Sequence, residues 1–251
     1  MKKPPIKKKW GQNFITDKNL INKIISIFNA NKNDTVIEIG PGRGALTFPL
    51  SKISKQLIAI EIDPMLCSIL KKKRQTNLII TNDDILNYDI DDLSDGYKII
   101  GNLPYYITTP IIFKFLNNLN WSKMTIMVQK EVANRIVAKP GNKNYGRLSI
   151  MVQAHSFVTK HFDISNTFFE PKPKVDSTII SIKPKPISII NPNLFYKIVK
   201  LAFQKRRKML KNSLSLYLNN EQLKKYGHLR PEKISVNDFI NISVSCLNIK
   251  N

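Results

Sequence analysis

Residues 35–44 read TVIEIGPGRG, an apolar run followed at once by a glycine-rich turn. The run Thr35–Ile39 has the length and composition of a strand that is buried in a sheet. Glycines placed directly after such a strand allow positive φ angles and let the backbone approach a bound ligand closely. The stretch therefore predicts the first strand of an α/β sheet, with a ligand-binding turn at its carboxyl end.

Short apolar runs and helical patterns alternate on both sides of this stretch. Asp17 is placed to cap a first helix, whose apolar positions between Leu20 and Phe28 follow helical spacing. Further strands are predicted at 56–62, 77–81, 97–100 and 124–129, with helices at 45–52, from Pro64 onward and at 108–116. This β-α-β alternation predicts a parallel, doubly wound, Rossmann-like sheet with helices on both faces.

The pattern changes after Gly146. Residues 175–182 alternate loosely and predict a strand that pairs antiparallel at the end of the sheet, and the KPKP run at 183–186 predicts a stiff linker. Helices are predicted beyond the linker at 194–203, 208–218 and 236–247. We therefore expect a catalytic domain at 1–186 and a small C-terminal all-helical domain at 187–251.

The charge of the chain indicates a polyanionic partner. The 251 residues carry a formal net charge of +22, and residues 177–220 hold nine Lys or Arg and no Asp or Glu. Six aspartates cluster instead between Asp83 and Asp95, and codon bias in an A/T-rich genome would not separate charges in this way. Such segregation is typical of nucleic-acid binding. Residues 1–9 are predicted to be a basic arm that is mobile alone and ordered on RNA.

The sequence argues against several classes of protein. No stretch approaches the roughly 20 apolar residues of a membrane span, and the lysine-rich N-terminus lacks the apolar region of a secretory signal. Cys67 and Cys246 have no CxxC spacing, and the three histidines show no ligand spacing, so we expect neither a disulfide framework nor a metal site. A reduced, cytoplasmic setting is the simplest interpretation.

The glycine-rich turn and an acid after the next strand predict a site for an adenosine-containing cofactor. Glu61 ends the second predicted strand, where a carboxylate can accept hydrogen bonds from both ribose hydroxyls. The glycines at Gly40 and Gly42, with Ala45, also fit the dinucleotide fingerprint of a nicotinamide dehydrogenase. The turn alone therefore leaves both classes of cofactor open.

Three features favour S-adenosylmethionine over a dinucleotide. Glu38 lies just before the turn, where its carboxylate would oppose a pyrophosphate, and Pro41 deprives the turn of an N–H donor. Asp84, directly after the third strand, can accept a hydrogen bond from an adenine amino group. The sheet is therefore expected to be that of a class I S-adenosylmethionine-dependent methyltransferase.

A second motif follows the fourth predicted strand and indicates the reaction. Asn102-Leu103-Pro104-Tyr105 places an amide, backbone carbonyls and an aromatic ring at a strand's carboxyl end. An adenine N6 amine is a poor nucleophile because its lone pair is delocalised into the ring. Accepting its N–H bonds with the Asn102 oxygen and the Leu103 or Pro104 carbonyl would localise that pair, while Tyr105 stacks on the base. The motif predicts methylation of an amino group on a base.

With these residues, the chain resembles the small-subunit ribosomal RNA adenine dimethyltransferases over nearly its whole length. The matching segments are 11–15 GQNFI, 38–42 EIGPG, 102–105 NLPY, 129–132 QKEV, 145–149 YGRLS and 169–177 FEPKPKVDS. The resemblance implies that six residues contact S-adenosylmethionine: Asn13, Ile15, Gly40, Glu61, Asp84 and Asn102. Gly42, in the glycine-rich turn, is expected to contact the cofactor as well. Ile15 replaces the family's more usual leucine. The implied reaction adds two methyl groups to each of two adjacent adenosines in a hairpin near the 3′ end of small-subunit (16S) rRNA.

Two further sites are expected to contact the RNA. Phe169 precedes two prolines and is expected on a stiff, exposed loop, where it would close over a base taken out of its stack, opposite Tyr105. The segment Lys205-Arg206-Arg207-Lys208 matches a basic helix of the family and is expected to bind phosphates. The expected partner is the 30S subunit or its precursor.

Competing functions remain open from the sequence alone. A sister enzyme that methylates one adenine of large-subunit rRNA shares the cofactor turn and a similar Asn102 motif, but it does not typically carry the 169–177 segment. A ribosome assembly or transcription factor would use the fold only to bind RNA, although an intact Asn102 motif and Glu61 argue against lost catalysis. A nicotinamide dehydrogenase would explain neither the charge nor Asn102. No apolar surface stripe stands out, so we expect a monomer.

Overall fold

The computed structural model describes residues 5–91, 93, 95–186 and 189–248. The strands in this part of the chain are β1 Phe14–Ile15, β2 Thr35–Ile39, β3 Gln56–Glu61, β4 Leu78–Asn82, β5 Tyr97–Asn102, β6 Trp121–Gln129, β7 Ser156–Ile164, β8 Phe169–Glu170 and β9 Ser177–Pro184. The α-helices are α1 Lys18–Phe28, α2 Thr47–Ile53, α3 Pro64–Lys71, α4 Thr108–Asn117, α5 Lys130–Ile136, α6 Arg147–His155, α7 Pro192–Gln204, α8 Lys211–Leu214, α9 Asn220–Tyr226 and α10 Val236–Asn248.

The large sheet has seven strands in the order β4-β3-β2-β5-β6-β9-β7. Neighbouring strands from β4 to β6 pair in parallel, and β9 pairs antiparallel with β6. A crossover between parallel strands needs a connection long enough to hold a helix, and α2, α3 and α4 lie in these connections. The carboxyl ends of β2 to β5 therefore meet at one edge, as predicted.

Local sequence signals explain where the helices begin. Asp17 caps α1 by accepting a hydrogen bond from the Leu20 backbone N–H at 2.7 Å. Asp63 caps α3 in the same way through Met65 N at 3.0 Å, and Pro64 occupies the first helical position. The strand β2 has the predicted bounds, and β3, β4 and β5 differ from the predicted bounds by one or two residues.

The antiparallel end of the sheet differs from the prediction. The strand expected at 175–182 is β9, but it is not the last strand, because β7 lies outside it. In β7 the residues between Ser156 and Ile164 are half-exposed or exposed and include Lys160, His161 and Asp163. An edge strand with polar residues on both faces carries no clear alternation, so its sequence gave no strand signal.

The chain divides into two compact units. Within the described residues, the first unit takes those up to Ala133 together with Thr159–Pro184, and the second takes Asn134–Val158 and those from Lys185 onward. This grouping differs from the division expected at residue 186, because α6 packs with α7 and α10 in the second unit. The expected boundary itself stays a prediction.

The second unit is built mainly from helices. The predicted helices at 194–203 and 236–247 correspond to α7 and α10, whereas only 211–214 of the predicted helix at 208–218 is α-helical, as α8. The helix α9 was not predicted. None of the helices in the described part of the chain is long and apolar enough to cross a membrane.

Candidate functional site

A pocket lies in the first unit at the carboxyl ends of β2, β3, β4 and β5. Its lining comes from the residues at and after these strand ends and from residues 10–15, in and before β1. The lining contains every residue predicted to contact the cofactor: Asn13, Ile15, Gly40, Gly42, Glu61, Asp84 and Asn102. It also contains Leu103 and Pro104. The fold thus brings together residues that are far apart in the sequence.

Gly42 allows the turn after β2 to approach its surroundings closely. Its φ angle is +58°, and a Cβ atom there would lie 2.9 Å from Cε1 of Phe14. Gly42 N donates a hydrogen bond to Oε2 of Glu61 at 3.0 Å. The glycine therefore ties the turn to the acid at the end of β3 and leaves no room for a side chain.

Glu61 is held so that both of its oxygens face donors. Oε2 accepts from Gly42 N, and Oε1 accepts from Asp63 N at 3.0 Å. Burial raises the pKa of Glu61, and the backbone N–H groups of Asp63 and Gly42 oppose that rise. Since a carboxylate oxygen has two lone pairs, each oxygen can accept one further hydrogen bond, which suits a pair of adjacent hydroxyls.

Glu38 and Arg43 both line the pocket, and each carries a buried polar atom without a partner among the described residues. Among the described residues, neither Oε2 of Glu38 nor Nε of Arg43 has a hydrogen-bond partner. Burial, opposed by Thr47 and reinforced by the charge of Glu61, raises the pKa of Glu38 to about 8. Buried polar atoms are costly to leave unpaired. These atoms therefore suit a polar, zwitterionic ligand such as the amino-acid end of S-adenosylmethionine.

Arg43 is fixed by two contacts that the sequence did not reveal. Its guanidinium lies over the Phe14 ring, with 4.3 Å between Cζ and the ring centroid. Its Nη1 atom is 3.2 Å from Oε2 of Glu170. Both partners belong to a small two-stranded sheet in which β1 and β8 pair antiparallel, with Ile15 opposite Phe169. This small sheet places residues 13–15 along the pocket.

The two aspartates after β4 both line the pocket. Asp83 N donates to the Glu61 carbonyl at 3.1 Å, which attaches this loop to β3. Oδ1 of Asp84 accepts from Leu86 N at 2.9 Å. The Asp84 carboxylate is thereby oriented at the pocket wall, and its role as an acceptor for the adenine amino group stays a prediction.

Asn102 is oriented by the wall opposite it. Its Nδ2 donates to the Asn13 carbonyl at 2.7 Å, and Asn13 Nδ2 donates in turn to the Gly11 carbonyl at 3.0 Å. Because Nδ2 of Asn102 is used in this bond, the Oδ1 atom is the one that remains to accept a hydrogen bond. The segment that lines the pocket thus sets the direction of the predicted catalytic amide.

The carbonyls after Asn102 are not equivalent. The Pro104 carbonyl accepts from Ile107 N and from the Thr108 hydroxyl, both at 3.2 Å, which uses its two lone pairs. Leu103 is buried, and its N–H donates to the Met127 carbonyl at 3.2 Å. Within the described residues, the Leu103 carbonyl is therefore the one of these two that can still accept a hydrogen bond from a ligand.

The aromatic residues near Asn102 lie differently from the prediction. Tyr105 is half-buried, and its hydroxyl hydrogen-bonds to Oγ of Ser177 at 2.8 Å. The neighbouring Tyr106, which the sequence did not single out, is exposed and lines the pocket. Tyr105 is therefore tied to the start of β9, while its role against a base stays a prediction.

Phe169 does not lie on an exposed loop. Its side chain is 5% exposed and packs in the core with Ile15, Ile164 and Ile179, whereas Phe168 is 39% exposed. The prolines that follow suggested exposure, but the pairing of β8 with β1 turns Phe169 inward. The expectation of an exposed Phe169 was wrong because that long-range pairing leaves no local sequence signal.

The basic segment at 205–208 lies in the second unit and is not a helix. Because α7 ends at Gln204, the four residues form an exposed turn that, with Asn212, lines a shallow groove. Arg206 pairs with Glu232 at 3.1 Å and donates to the Lys143 carbonyl at 2.7 Å. The basic helix that the family resemblance implied is therefore wrong for residues 205–208, and phosphate binding by this segment stays a prediction.

No group of three or more His, Cys, Asp or Glu side chains within the described residues is placed to hold a metal ion.

Comparisons with known proteins point to ribosomal RNA adenine methyltransferases. The family model for ribosomal RNA adenine dimethylases matches residues 4–244. The ribosomal RNA small subunit methyltransferase A of Wigglesworthia glossinidia brevipalpis is 43% identical over 249 residues, which cover 94% of this chain and 95% of that protein.

Solved structures agree as well. A dimethyladenosine transferase from Plasmodium falciparum has a TM-score of 0.83 at 26% identity, covering 93% of this chain and 97% of that one. The 23S rRNA methyltransferase ErmE, at 22% identity and a TM-score of 0.75, covers 94% of this chain and 99% of its own and shares the fold. The sheet is that of class I S-adenosylmethionine-dependent methyltransferases, as predicted. The chain belongs to the ribosomal RNA adenine dimethylase family and is an S-adenosylmethionine-dependent rRNA adenine dimethyltransferase.

Proposed function

We propose that this enzyme dimethylates N6 of two adjacent adenosines in the hairpin near the 3′ end of small-subunit (16S) rRNA, in the small subunit or its precursor. The observation that carries the proposal is the orientation of Asn102. Since its Nδ2 donates to the Asn13 carbonyl at 2.7 Å, its Oδ1 is the atom that can accept from an amine in the pocket. An acceptor in this position suits an exocyclic amine as substrate.

The cofactor is assigned to the pocket residue by residue. Glu61 accepts from the two ribose hydroxyls, and Asp84 accepts from the adenine amino group. Asn13, Ile15 and the turn from Gly40 to Gly42 form the surrounding walls, while Glu38 and Arg43 face the amino-acid end. When bound, S-adenosylmethionine supplies a methyl group that is activated on its sulfonium. The buried, unpartnered atoms of Glu38 and Arg43 support this assignment.

The target nitrogen is assigned to Asn102 Oδ1 and the Leu103 carbonyl. In the first transfer, two acceptors on its N–H groups localise the lone pair on nitrogen and direct it at the methyl group. In the second transfer the methylated nitrogen keeps one N–H group, which one of these acceptors binds. The Pro104 carbonyl is not assigned to the target because its lone pairs are already used by Ile107 and Thr108. Catalysis then rests mainly on position and orientation, because the proton can leave after the methyl group has arrived.

Tyr105 is the aromatic residue assigned to the flipped base. The hydrogen bond from its hydroxyl to Ser177 fixes the tilt of the ring, which favours a defined stacking surface. Phe169 is assigned instead to the packing of β8, because it is buried. A base that leaves its helix therefore stacks on one tyrosine rather than in an aromatic sandwich.

The RNA backbone is assigned to the basic turn of the second unit. Lys205, Arg207 and Lys208 are exposed, and phosphate contacts from such residues contribute affinity and position rather than sequence choice. Arg206 already pairs with Glu232 and is expected to contribute less. We further propose that the enzyme acts as a monomer in the cytoplasm, where the small subunit is assembled.

The experiment that tests this proposal offers labelled S-adenosylmethionine with three substrates: unmethylated small subunits, protein-free small-subunit rRNA and large-subunit rRNA. Dimethyladenosine confined to the 3′ hairpin of small-subunit rRNA is the expected product. Label only in large-subunit rRNA would replace the proposal with the large-subunit activity. RNA binding without any label would indicate a binding factor. The large-subunit rRNA methyltransferase is the second candidate function. It shares the fold, but the 169–177 segment favours the small-subunit enzyme.

A further inference from the structure

Residues 7–15, here called the N-terminal segment, are attached to the turn after β3 through one carboxylate, and residues 10–15 of this segment line the pocket. The Asp63 side chain is 1% exposed and accepts three hydrogen bonds. Lys7 Nζ and Met65 N donate to Oδ1 at 2.8 and 3.0 Å, and Gln12 Nε2 donates to Oδ2 at 3.0 Å. Within the segment, Lys7 N donates to Oε1 of Gln12 at 2.8 Å, which closes a ring of contacts.

Asp63 also touches the two groups on which the site depends. Its own N–H donates to Oε1 of Glu61, the acid assigned to the ribose. Gln12 is followed directly by Asn13, whose carbonyl orients the Asn102 amide. Although burial opposes it, hydrogen bonds from Lys7 and Gln12 hold the pKa of Asp63 below its usual value, so the carboxylate is charged. One buried charge therefore connects the cofactor acid, the N-terminal segment and the catalytic amide.

We propose that Asp63 is a positioning residue for the reaction, which holds the N-terminal segment over the cofactor pocket by binding Lys7 and Gln12. Its loss lets the segment move away, so bound S-adenosylmethionine escapes faster and Asn102 loses its orienting carbonyl. The part of this proposal that concerns Asn102 rests on the proposed function. The part that concerns cofactor retention does not, because it depends only on the pocket wall.

Lys7 and Lys9 offer a matched pair for the test. Both ammonium groups lie 4.5 Å from the centroid of the Trp10 ring, so both stack on the same aromatic residue. Only Lys7 reaches Asp63, and Lys9 makes no ion pair with any residue that the structure describes. Lys7→Met and Lys9→Met each remove one positive charge, so a general loss of RNA attraction affects them equally. A difference between them reports the contact with Asp63.

Asp63→Asn removes the charge and keeps the helix cap. Asparagine is as good an N-cap as aspartate, so its Oδ1 can still accept from Met65 N. The asparagine's amide nitrogen takes the place of Oδ2, which accepts from Gln12 Nε2 in the unmodified protein. Two N–H donors then face each other. The attachment of the N-terminal segment is thereby broken while α3 keeps its start, and thermal unfolding of the variant checks that the fold is retained.

Two kinds of measurement test the proposal. The first gives the equilibrium affinity and the dissociation rate of S-adenosylmethionine without RNA, and the second is amide hydrogen exchange at residues 10–15 in the cofactor-free protein. Lys7→Met and Asp63→Asn should release the cofactor roughly tenfold faster, because a hydrogen bond to a charged group contributes about that factor. Both should also exchange faster at residues 10–15, while Lys9→Met matches the unmodified protein. In turnover, the KM for S-adenosylmethionine should rise in Lys7→Met and fall back toward normal in Lys7→Arg.

The proposal is overturned if Lys7→Met and Lys9→Met release the cofactor at the same rate. Unchanged exchange at residues 10–15 in Asp63→Asn would overturn it as well. If Asp63→Asn unfolds, the comparison of the two lysine variants decides alone. A wrong RNA substrate would appear in the identity of the methylated product and would leave the cofactor measurements unaffected, so the two failures are distinguishable.

Discussion

Replacing Gly42 by alanine is expected to damage cofactor binding more than it damages the fold. At a φ of +58° an alanine is strained by about 1–2 kcal/mol. Its Cβ would also lie 2.9 Å from Cε1 and 3.0 Å from Cδ1 of Phe14, whereas carbon atoms pack best at about 3.5–4.0 Å. The ring must therefore move, together with the Arg43 guanidinium that lies on it. Overpacking of this kind costs about 1–3 kcal/mol.

Gly96 supplies the control. Its φ is +82°, and a Cβ atom there would meet nothing within 4 Å, so Gly96→Ala carries the backbone strain without a clash. We expect denaturant unfolding to show a loss of about 1–2 kcal/mol for Gly96→Ala and about 2–5 kcal/mol for Gly42→Ala. The difference between the two variants measures the displacement of Phe14.

The affinity for the cofactor should also differ between Gly42→Ala and Gly96→Ala. A shifted turn moves Gly42 N away from Glu61 and pushes the Phe14 ring into the pocket. Calorimetry should therefore show that the affinity for S-adenosylmethionine falls at least about tenfold, the equivalent of about 1.4 kcal/mol. Gly96→Ala should bind the cofactor as the unmodified enzyme does. The reasoning is refuted if Gly42→Ala retains full affinity, or if both variants lose it equally.

Three further predictions concern the amide, the basic turn and the buried acid. Asn102→Ala should lower methyl transfer at least about 100-fold, because orientation supplies much of the barrier reduction, while calorimetry shows cofactor affinity within a few-fold; lost cofactor binding would contradict the assigned role. Charge reversal across Lys205 to Lys208 should weaken RNA binding and flatten its salt dependence, and an unchanged slope in a binding titration would remove this turn from the RNA contact. Glu38 has a pKa raised from 4.5 to about 8, so the folded state keeps a proton there that the unfolded chain releases. The stabilisation of the folded state by this proton is complete below pH 4.5 and is lost as pH rises through about 8. The free energy of unfolding falls over this range by up to about 1.4 kcal/mol per pH unit. Glu38→Gln should therefore gain stability relative to the unmodified protein between pH 6 and pH 8 in denaturant unfolding, and a constant difference would contradict the raised pKa.

The parallel half of the sheet could be predicted because its signals are local. The strand Thr35–Ile39 is apolar and is followed by glycines, and the caps of α1 and α3 sit at their own helices. The residues on the pocket wall followed from the rule that the ends of parallel strands meet at one edge. Glu61 and Asp84 were found in this way.

The remaining features depend on partners that are remote in the sequence. Phe169 is buried because β8 pairs with β1, and nothing near Phe169 indicates that pairing. Nothing in the sequence singled out Asp63, because its partner Lys7 lies far from it in the chain, before the first helix. A basic helix was expected at residues 205–208 from the family resemblance alone, but α7 ends at Gln204 and the chain turns there.

The pairing of β1 with β8 has a consequence for how the pocket is completed during folding. Ile15 lies near the start of the chain and Phe169 more than halfway along it, so their pairing closes a very long loop. Closing such a loop costs entropy that nearer contacts do not, and strands with distant partners form slowly. On the ribosome, the parallel strands can pair while the chain is still short, and residues 14–15 must wait until β8 has emerged. Pulse-labelled hydrogen exchange should therefore find the amide of Thr16, which donates to the Phe168 carbonyl, protected later than that of Ile37. The pocket wall at residues 13–15 is then the last part of the site to form.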